Sequence, residues 1–258
     1  MSVDIVLEVQ KKREFSKLPR SVVKRVVDSI NEEDVKEKVK QARIILRKYF
    51  GVFLTNRVIK PKDITDYDSV LKSHKSSHKR DYTPFYEKIH EVIGEKVGSV
   101  VGSIIDLGCG MNGFSYPYIQ NVFGNVGYTG IEASGQIVDS TNTFFETSSF
   151  AGCTCIWGDV FNTTLVTQTL KRSSKKRLVF LFQVVDALEN VKADFSKEFL
   201  LQLKKNSEYI VVSLPQKSLS GRKTFEVKRN WIVSFLEEHF EILDDFSMFD
   251  ERFICVKC

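Results

Sequence analysis

No stretch of this chain comes near the ~18–20 consecutive apolar residues that cross a bilayer, so a helical membrane span is not expected. Met1–Gln10 lacks the charged-then-apolar pattern of a secretory leader. Cysteine is scarce and odd in number, 5 in 258 residues, which argues against a secreted disulfide framework. The expectation is a cytoplasmic protein. Neither an internal repeat nor a low-complexity segment is present. Apolar residues, by contrast, are plentiful: at 42% hydrophobic content the chain can bury one α/β core and carry a smaller appendage.

Charge is unevenly spread. Residues 1–80 hold 20 Lys+Arg against 11 Asp+Glu, a net of +9, whereas residues 81–258 hold 18 against 22, a net of −4. A basic first third joined to a slightly acidic remainder suggests a polyanion-docking module. Charge alone leaves open an ordinary solvated helical surface.

The first fifty-odd residues read as helices. Val22, Val23, Val26, Val27 and Ile30 recur at three- and four-residue spacing after Pro19. Val35, Val39, Ile44, Ile45, Tyr49 and Phe53 repeat the pattern, with acids early and Arg47 and Lys48 late, as the helix dipole favours. Pro61 and the polar run 62–80 read as a connection with one short helical turn, and Pro84–Val97 as an amphipathic helix. Thereafter strands and helices alternate. Strands are expected at Ile104–Leu107, Tyr128–Ile131, Thr154–Trp157, Leu178–Gln183 and Tyr209–Leu214, with helices starting near Tyr116, Gln136, Thr163 and Phe195. Such alternation implies right-handed βαβ crossovers and a doubly wound, mostly parallel sheet. A helix at Lys228–His239 and two closely spaced strands, Glu241–Met248 and Arg252–Lys257, then give a C-terminal antiparallel hairpin. The expected architecture is a seven-stranded α/β sheet of class I methyltransferase type over residues 81–258. A small basic all-α domain, residues 1–80, precedes it.

The densest signal is Ser-Ile-Ile-Asp-Leu-Gly-Cys-Gly-Met-Asn-Gly, residues 103–113. A buried strand that ends in glycines lets the backbone turn sharply and lets a ligand approach without meeting a Cβ. Gly108-x-Gly110-x-x-Gly113 followed by Glu132, at the end of the next strand, fits a nucleoside ligand whose ribose hydroxyls meet a carboxylate. That pattern by itself does not separate NAD from S-adenosylmethionine. Three features favour the methyl donor: Asp106 two residues before the first glycine, Asp159 just past the third strand where it can meet an adenine amine, and a chain that stops at the hairpin with no second substrate domain.

Three blocks stand in order: Ser-His-Lys-Ser-Ser-His-Lys-Arg (73–80), Asp-Leu-Gly-Cys-Gly-Met-Asn (106–112) and Val-Val-Ser-Leu-Pro-Gln-Lys-Ser-Leu-Ser-Gly-Arg (211–222). Together they resemble the signature blocks of the aminoglycoside-resistance 16S rRNA (guanine-N7) methyltransferases, the Arm/Rmt group. The resemblance covers most of the chain. It implies methyl transfer from S-adenosylmethionine to N7 of a decoding-site guanine (the 1405-type position), with the assembled 30S small ribosomal subunit as partner. The protein would act as a monomer, without metal or membrane. In the family that product defeats aminoglycosides. Carried across, Arg80 would hold the cofactor's methionine carboxylate; Asp106, Gly108, Cys109 and Gly110 would form the cofactor loop. Glu132 would bind the ribose and Asp159 the adenine, and Gln183 would line the cofactor and target pocket. Ser213, Lys217 and Arg222 would face rRNA, with Gln183 and Lys217 as positioning groups. Two departures bear on the target nucleotide: Gly113–Pro117 replaces the family's Pro-Leu-Ala-aliphatic continuation, and Thr224–Glu226 replaces a Gly-Met. Methylation of another rRNA or tRNA base, such as adenine N1, and a non-catalytic ribosome-binding relative are the alternatives.

Guanine N7 carries an in-plane lone pair and loses no proton on methylation, so no acid–base residue is expected. N7 lies in a groove of RNA helices that side chains cannot read, which implies a flipped base stacked on an aromatic surface. Phe114, Tyr116 and Trp231 are the candidates. Cys153-x-Cys155 and Cys255-x-x-Cys258 invite a zinc reading. The expected strand order sets them near opposite edges, too far apart for one ion with ~2.3 Å bonds. His74 and His78 lack a third ligand in the sequence.

Overall fold

The computed structural model describes residues 3–50, 63–73, 78–97, 101–216 and 229–258. In chain order, its helices before the sheet are α1 (Ile5–Gln10), α2 (Arg20–Asp28), α3 (Val35–Phe50), α4 (Tyr67–Ser73) and α5 (Tyr82–Val97). The alternating part runs β1 (Ser103–Leu107), α6 (Tyr116–Phe123), β2 (Gly127–Glu132), α7 (Gly135–Thr147), β3 (Cys153–Trp157) and α8 (Thr163–Arg172). It continues with β4 (Arg177–Phe182), α9 (Val185–Val191), α10 (Phe195–Lys204) and β5 (Tyr209–Pro215). The last elements are α11 (Asn230–His239), β6 (Glu241–Met248) and β7 (Glu251–Lys257). The sheet has 7 strands in the order β3-β2-β1-β4-β5-β7-β6. β1 to β5 are parallel, and β7 pairs antiparallel with both β5 and β6.

Strand periodicity builds the layers. In β1, Ile104 points to one face and Ile105 and Leu107 to the other, and all are fully buried. Apolar residues of α4 to α7 cover the first face; those of α8 to α11 cover the second. Burial on both faces explains why the inner strands read as unbroken apolar runs rather than alternating ones. Val70 and Leu71 pack into the core on the sheet, so α4 goes with the sheet by packing although it precedes residue 80.

The first three helices have a core of their own, built on Val9, Phe15, Leu18, Val23, Ala42 and Leu46. Ile44 is 55% exposed and Val35 36%, so two residues of the expected apolar stripe face outward. Val39 is buried and Ile45 packs against the lobe core as expected, while Ala42 and Leu46 complete the inward face of α3 at three- and four-residue steps from Val39. This lobe is seated on the carboxyl ends of β2 and β3. Trp157 Nε1 donates to the Lys17 and Ala133 carbonyls, both at 2.9 Å. The Gly135 amide donates to the Lys17 carbonyl at 2.9 Å, and Gln136 Nε2 to the Arg13 carbonyl at 3.1 Å. A Cβ on Gly135 would lie 2.9 Å from Lys17 Cβ, so glycine is what lets the two backbones approach. Among the described residues no helix is long and apolar enough to cross a membrane.

Candidate active site

The carboxyl ends of β1 to β4 open into a cavity of about 700 Å³, roofed by Val22, Arg25 and Val26 of α2 and by Lys48 and Phe50 of α3. Open α/β sheets bind ligands at this end, where the strand order reverses. The reversal here lies between β1 and β4.

The loop after β1 forms one wall. Gly108 has φ +70°, and a Cβ there would lie 2.9 Å from Val184 Cγ2; its amide donates to the Ile131 carbonyl at 2.8 Å. Gly110, with φ +49°, donates its amide to Glu132 Oε2 at 3.0 Å, and Ser134 N donates to Oε1 at 2.8 Å. Both oxygens of Glu132 are thus held by backbone, leaving lone pairs for the hydroxyls of a ligand. Burial pushes the Glu132 carboxyl up, and these backbone bonds pull against it. Cys109 packs its thiol 3.6 Å from that of Cys155, so it is the backbone of this residue that serves the loop.

Asp106 sits behind that wall, 1% exposed, and does not itself line the cavity. Its Oδ2 accepts from Asn112 Nδ2 at 2.7 Å and from Tyr128 OH at 2.8 Å. Oδ1 is buried without a hydrogen-bond partner. Desolvation raises its pKa to about 6, against the hydrogen bonds from Asn112 and Tyr128.

Arg80 lines the cavity, yet only 4% of its side chain is exposed. Its Nη2 donates to Glu251 Oε1 at 2.8 Å and Oε2 at 3.0 Å. The guanidinium carbon lies 5.0 Å from the ring centroids of both Phe85 and Phe182, a cation–π setting. Its Nε–H is buried without a partner. Although burial alone opposes the charge, Glu251 and the nearby tyrosine hydroxyls raise the pKa of Arg80 above its ordinary value.

Asp159 closes the far end. Its Oδ1 accepts from Phe161 N at 3.0 Å, and its Oδ2 from Ser21 Oγ at 2.8 Å and Arg25 Nη2 at 2.5 Å. Gln183, at the end of β4, has a left-handed φ of +59°, a strained setting for a residue with a side chain. Its amide is held by Ser213 Oγ at 3.0 Å, and the residue lines the cavity.

Three expectations are corrected. Ser213 does not face outward: it is fully buried and donates its hydroxyl to Glu251 Oε2 at 2.9 Å, so it braces Gln183 and Glu251. Phe114 is core, stacked on Phe144 at 4.8 Å. Tyr116 is core as well, its hydroxyl donated to the Val126 carbonyl at 2.8 Å. Trp231 is 37% exposed and lines the cavity. Lys217, Arg222, His74 and the Thr224–Glu226 departure lie outside the described residues. The strand order puts Cys153 and Cys155 on the β3 edge and Cys255 on β7, with four strands between.

Arg25, Tyr128, Glu251 and α9 were not singled out from the sequence as parts of this site. Arg25 follows Lys24 in a basic helix where nothing local distinguishes one cation from the next. Glu251 is separated from Arg80 by 171 residues, and only the β5–β7 pairing brings them together.

No family model matches the chain, and neither does any curated protein. Solved structures do. The 16S rRNA methylase RmtB aligns over 98% of this chain and 97% of its own, with TM-score 0.74 and 18% identity. An rRNA methylase from Escherichia coli aligns over 98% of both chains, with TM-score 0.72 and 17% identity. The 16S rRNA methyltransferase RmtF, solved with S-adenosyl-L-homocysteine, aligns over 100% and 99%, with TM-score 0.69 and 16% identity. The chain therefore has the fold of these rRNA methylases along its whole length.

Proposed function

We propose that this protein transfers the methyl group of S-adenosylmethionine to N7 of a guanine in the decoding site of 16S rRNA, the 1405-type position, in the assembled small subunit. The observation that supports the reading most is the seat of the basic N-terminal lobe, which roofs the cavity at the strand ends; as a docking module it would bring rRNA to the mouth of that cavity. The whole-length likeness to 16S rRNA methylases supports the same substrate class.

The residues fit the cofactor. An amino-acid end bears one ammonium and one carboxylate; Arg80, which lines the cavity, has an orphaned buried donor in Nε–H, and Asp106, behind the loop wall, an orphaned buried acceptor in Oδ1. Glu132 would take the ribose hydroxyls, and Asp159 the exocyclic amine of adenine. The bound cofactor supplies an already activated methyl group on a sulfonium. The protein's part is then alignment and exclusion of water. Arg80 would fix one end, with the carboxylate of Asp106 acting as a charge from behind the loop wall; Glu132 and Asp159 would fix the other, and Gln183, its backbone N–H held by Ser213 Oγ, lines the same cavity. No side chain needs to accept a proton, because N7 attacks with its own lone pair.

On the target side, Arg229 is clamped by Asp186, with Nε 3.0 Å from Oδ1. Trp231, beside it, offers an exposed ring on which an extruded base can stack. Lys217 and Arg222 would grip the rRNA backbone. Trp231→Ala should lower turnover at least tenfold while leaving S-adenosylhomocysteine affinity within about twofold; equal turnover in the two proteins would remove the ring from the site. The reaction itself is tested by incubating the protein with labelled cofactor and intact 30S subunits. Cleavage of the rRNA with borohydride and aniline and primer extension then map the base. A stop at the decoding-site guanine is expected, and label without such a stop moves the target to another base.

A further inference from the structure

Asp159, the proposed adenine ligand, is held from across the interface between the helical lobe and the sheet. A carboxylate offers about four lone-pair positions. Three are taken, by the Phe161 amide at 3.0 Å, the Ser21 hydroxyl at 2.8 Å and the Arg25 guanidinium at 2.5 Å. Two of those donors belong to α2. Arg25 also sits over an aromatic ring, its guanidinium carbon 4.0 Å from the centroid of Phe161. Phe161 in turn stacks on Phe195 at 4.4 Å. Arg25 is thus pinned on two sides, and it lines the cavity together with Val22 and Val26.

We propose that Arg25 is a cofactor-positioning residue contributed by the RNA-docking lobe: with Ser21 it orients Asp159 so that the one remaining lone pair meets the adenine amine. The inference rests on the reading of the cavity as an S-adenosylmethionine site. A residue that is part of the lobe and part of the cofactor site links the two: whatever seats the lobe more firmly tightens cofactor binding, and cofactor tightens the lobe by the same factor. Arginine suits the place because its planar fork can bond a carboxylate and lie on an aromatic ring at once, which the ammonium of lysine does less well.

The test is calorimetric titration of the full-length protein with S-adenosylhomocysteine and with S-inosylhomocysteine, whose purine bears a carbonyl where adenine has its amine. Arg25→Ala should weaken the adenosyl ligand about tenfold, or 1.4 kcal/mol, and leave the inosyl ligand within about twofold. Arg25→Lys should recover part of the loss, and Ser21→Ala should show the same pattern on a smaller scale, so the test survives if Arg25→Ala folds poorly. Asp159→Asn combined with Arg25→Ala should be no worse than Asp159→Asn alone, since the two act as one unit. In the wild type the adenosyl ligand should slow hydrogen exchange across α2. Arg25→Ala binding both ligands like the wild type, losing both equally, or adding its effect to that of Asp159→Asn would overturn the positioning role. Failure of the wild-type protein to bind S-adenosylhomocysteine at all would instead overturn the cofactor reading and this inference with it.

Discussion

Glu251→Gln should destabilise the protein by about 3–5 kcal/mol, the cost of leaving a buried cation without its counter-charge. The side chains of Arg80 and Glu251 are 4% and 5% exposed. Water therefore cannot replace the lost partner, and the ring faces of Phe85 and Phe182 return only part of the solvation. The two partners are not equivalent. A carboxylate left alone can take up a proton, whereas a guanidinium cannot give one up, so losing Glu251 should cost more than Arg80→Met. The pair also explains what stability alone does not require. Replacing both, as Arg80→Met with Glu251→Leu, should recover most of the loss, because well-packed apolar groups often match or better a buried ion pair. Cofactor affinity should not recover with it. Urea denaturation at pH 7, together with calorimetry on each variant, separates the two roles. A double variant that regains stability and also binds S-adenosylhomocysteine like the wild type would remove Arg80 from the proposed cofactor site.

Much of the fold was legible because periodicity and glycine placement are local signals. The strands flanking Asp106 and Glu132 read as apolar runs for a physical reason: both faces of the sheet are covered. The starts expected near Tyr116, Gln136, Thr163 and Phe195 fall within one residue of the observed helices. α9 was not read as a helix. Its seven residues, Val185–Val191, are too few to show a period, and the element is held by Val185 and Leu188 against the sheet rather than by propensity. In α3 the expected stripe holds at Val39 and Ile45 and fails at Val35 and Ile44: Ile44 and Ala42 both suit a helix, and only the partner surface decides which one turns inward.

The site divides the same way. Gly108, Gly110, Glu132 and Asp159 line one cavity, and the sequence shows why: each lies at or just past the carboxyl end of a strand, where open α/β sheets bind ligands. Ser213 adjoins a polar block in the sequence and so reads as outward-facing; the β5–β7 pairing turns its side chain inward onto Glu251. Contacts such as Arg25 with Asp159, 134 residues apart, depend on how the lobe is seated, and no local pattern encodes that.

Asp106→Asn should make the ligand-free protein more stable and the cofactor complex weaker. The carboxyl group titrates near 3.8 when exposed and at about 6 in the fold. The folded state therefore prefers the protonated form. Stability from this group is fully present below pH 4, declines as pH rises from about 4 to 6, and is absent above. A shift of that size corresponds to about 3 kcal/mol held against the ionised fold at pH 7. Asparagine removes the charge while its amide oxygen can still accept from Asn112 and Tyr128. Its melting temperature should exceed that of the wild type at pH 7–8, with the gap closing below pH 4. Binding should run the other way. From behind the loop wall the carboxylate helps the ligand's ammonium only as a charge, so S-adenosylhomocysteine affinity should fall at least tenfold in the variant. In the wild type it should weaken as pH drops through about 6. Thermal melts and calorimetry across pH 5–8 measure both arms. A variant that is no more stable at pH 7, or one that binds the ligand undiminished, would show that the buried charge is not kept for the cofactor. A buried charge that costs stability in the free protein is accounted for when a ligand brings a counter-charge near it, and here that would be the ammonium end of the methyl donor.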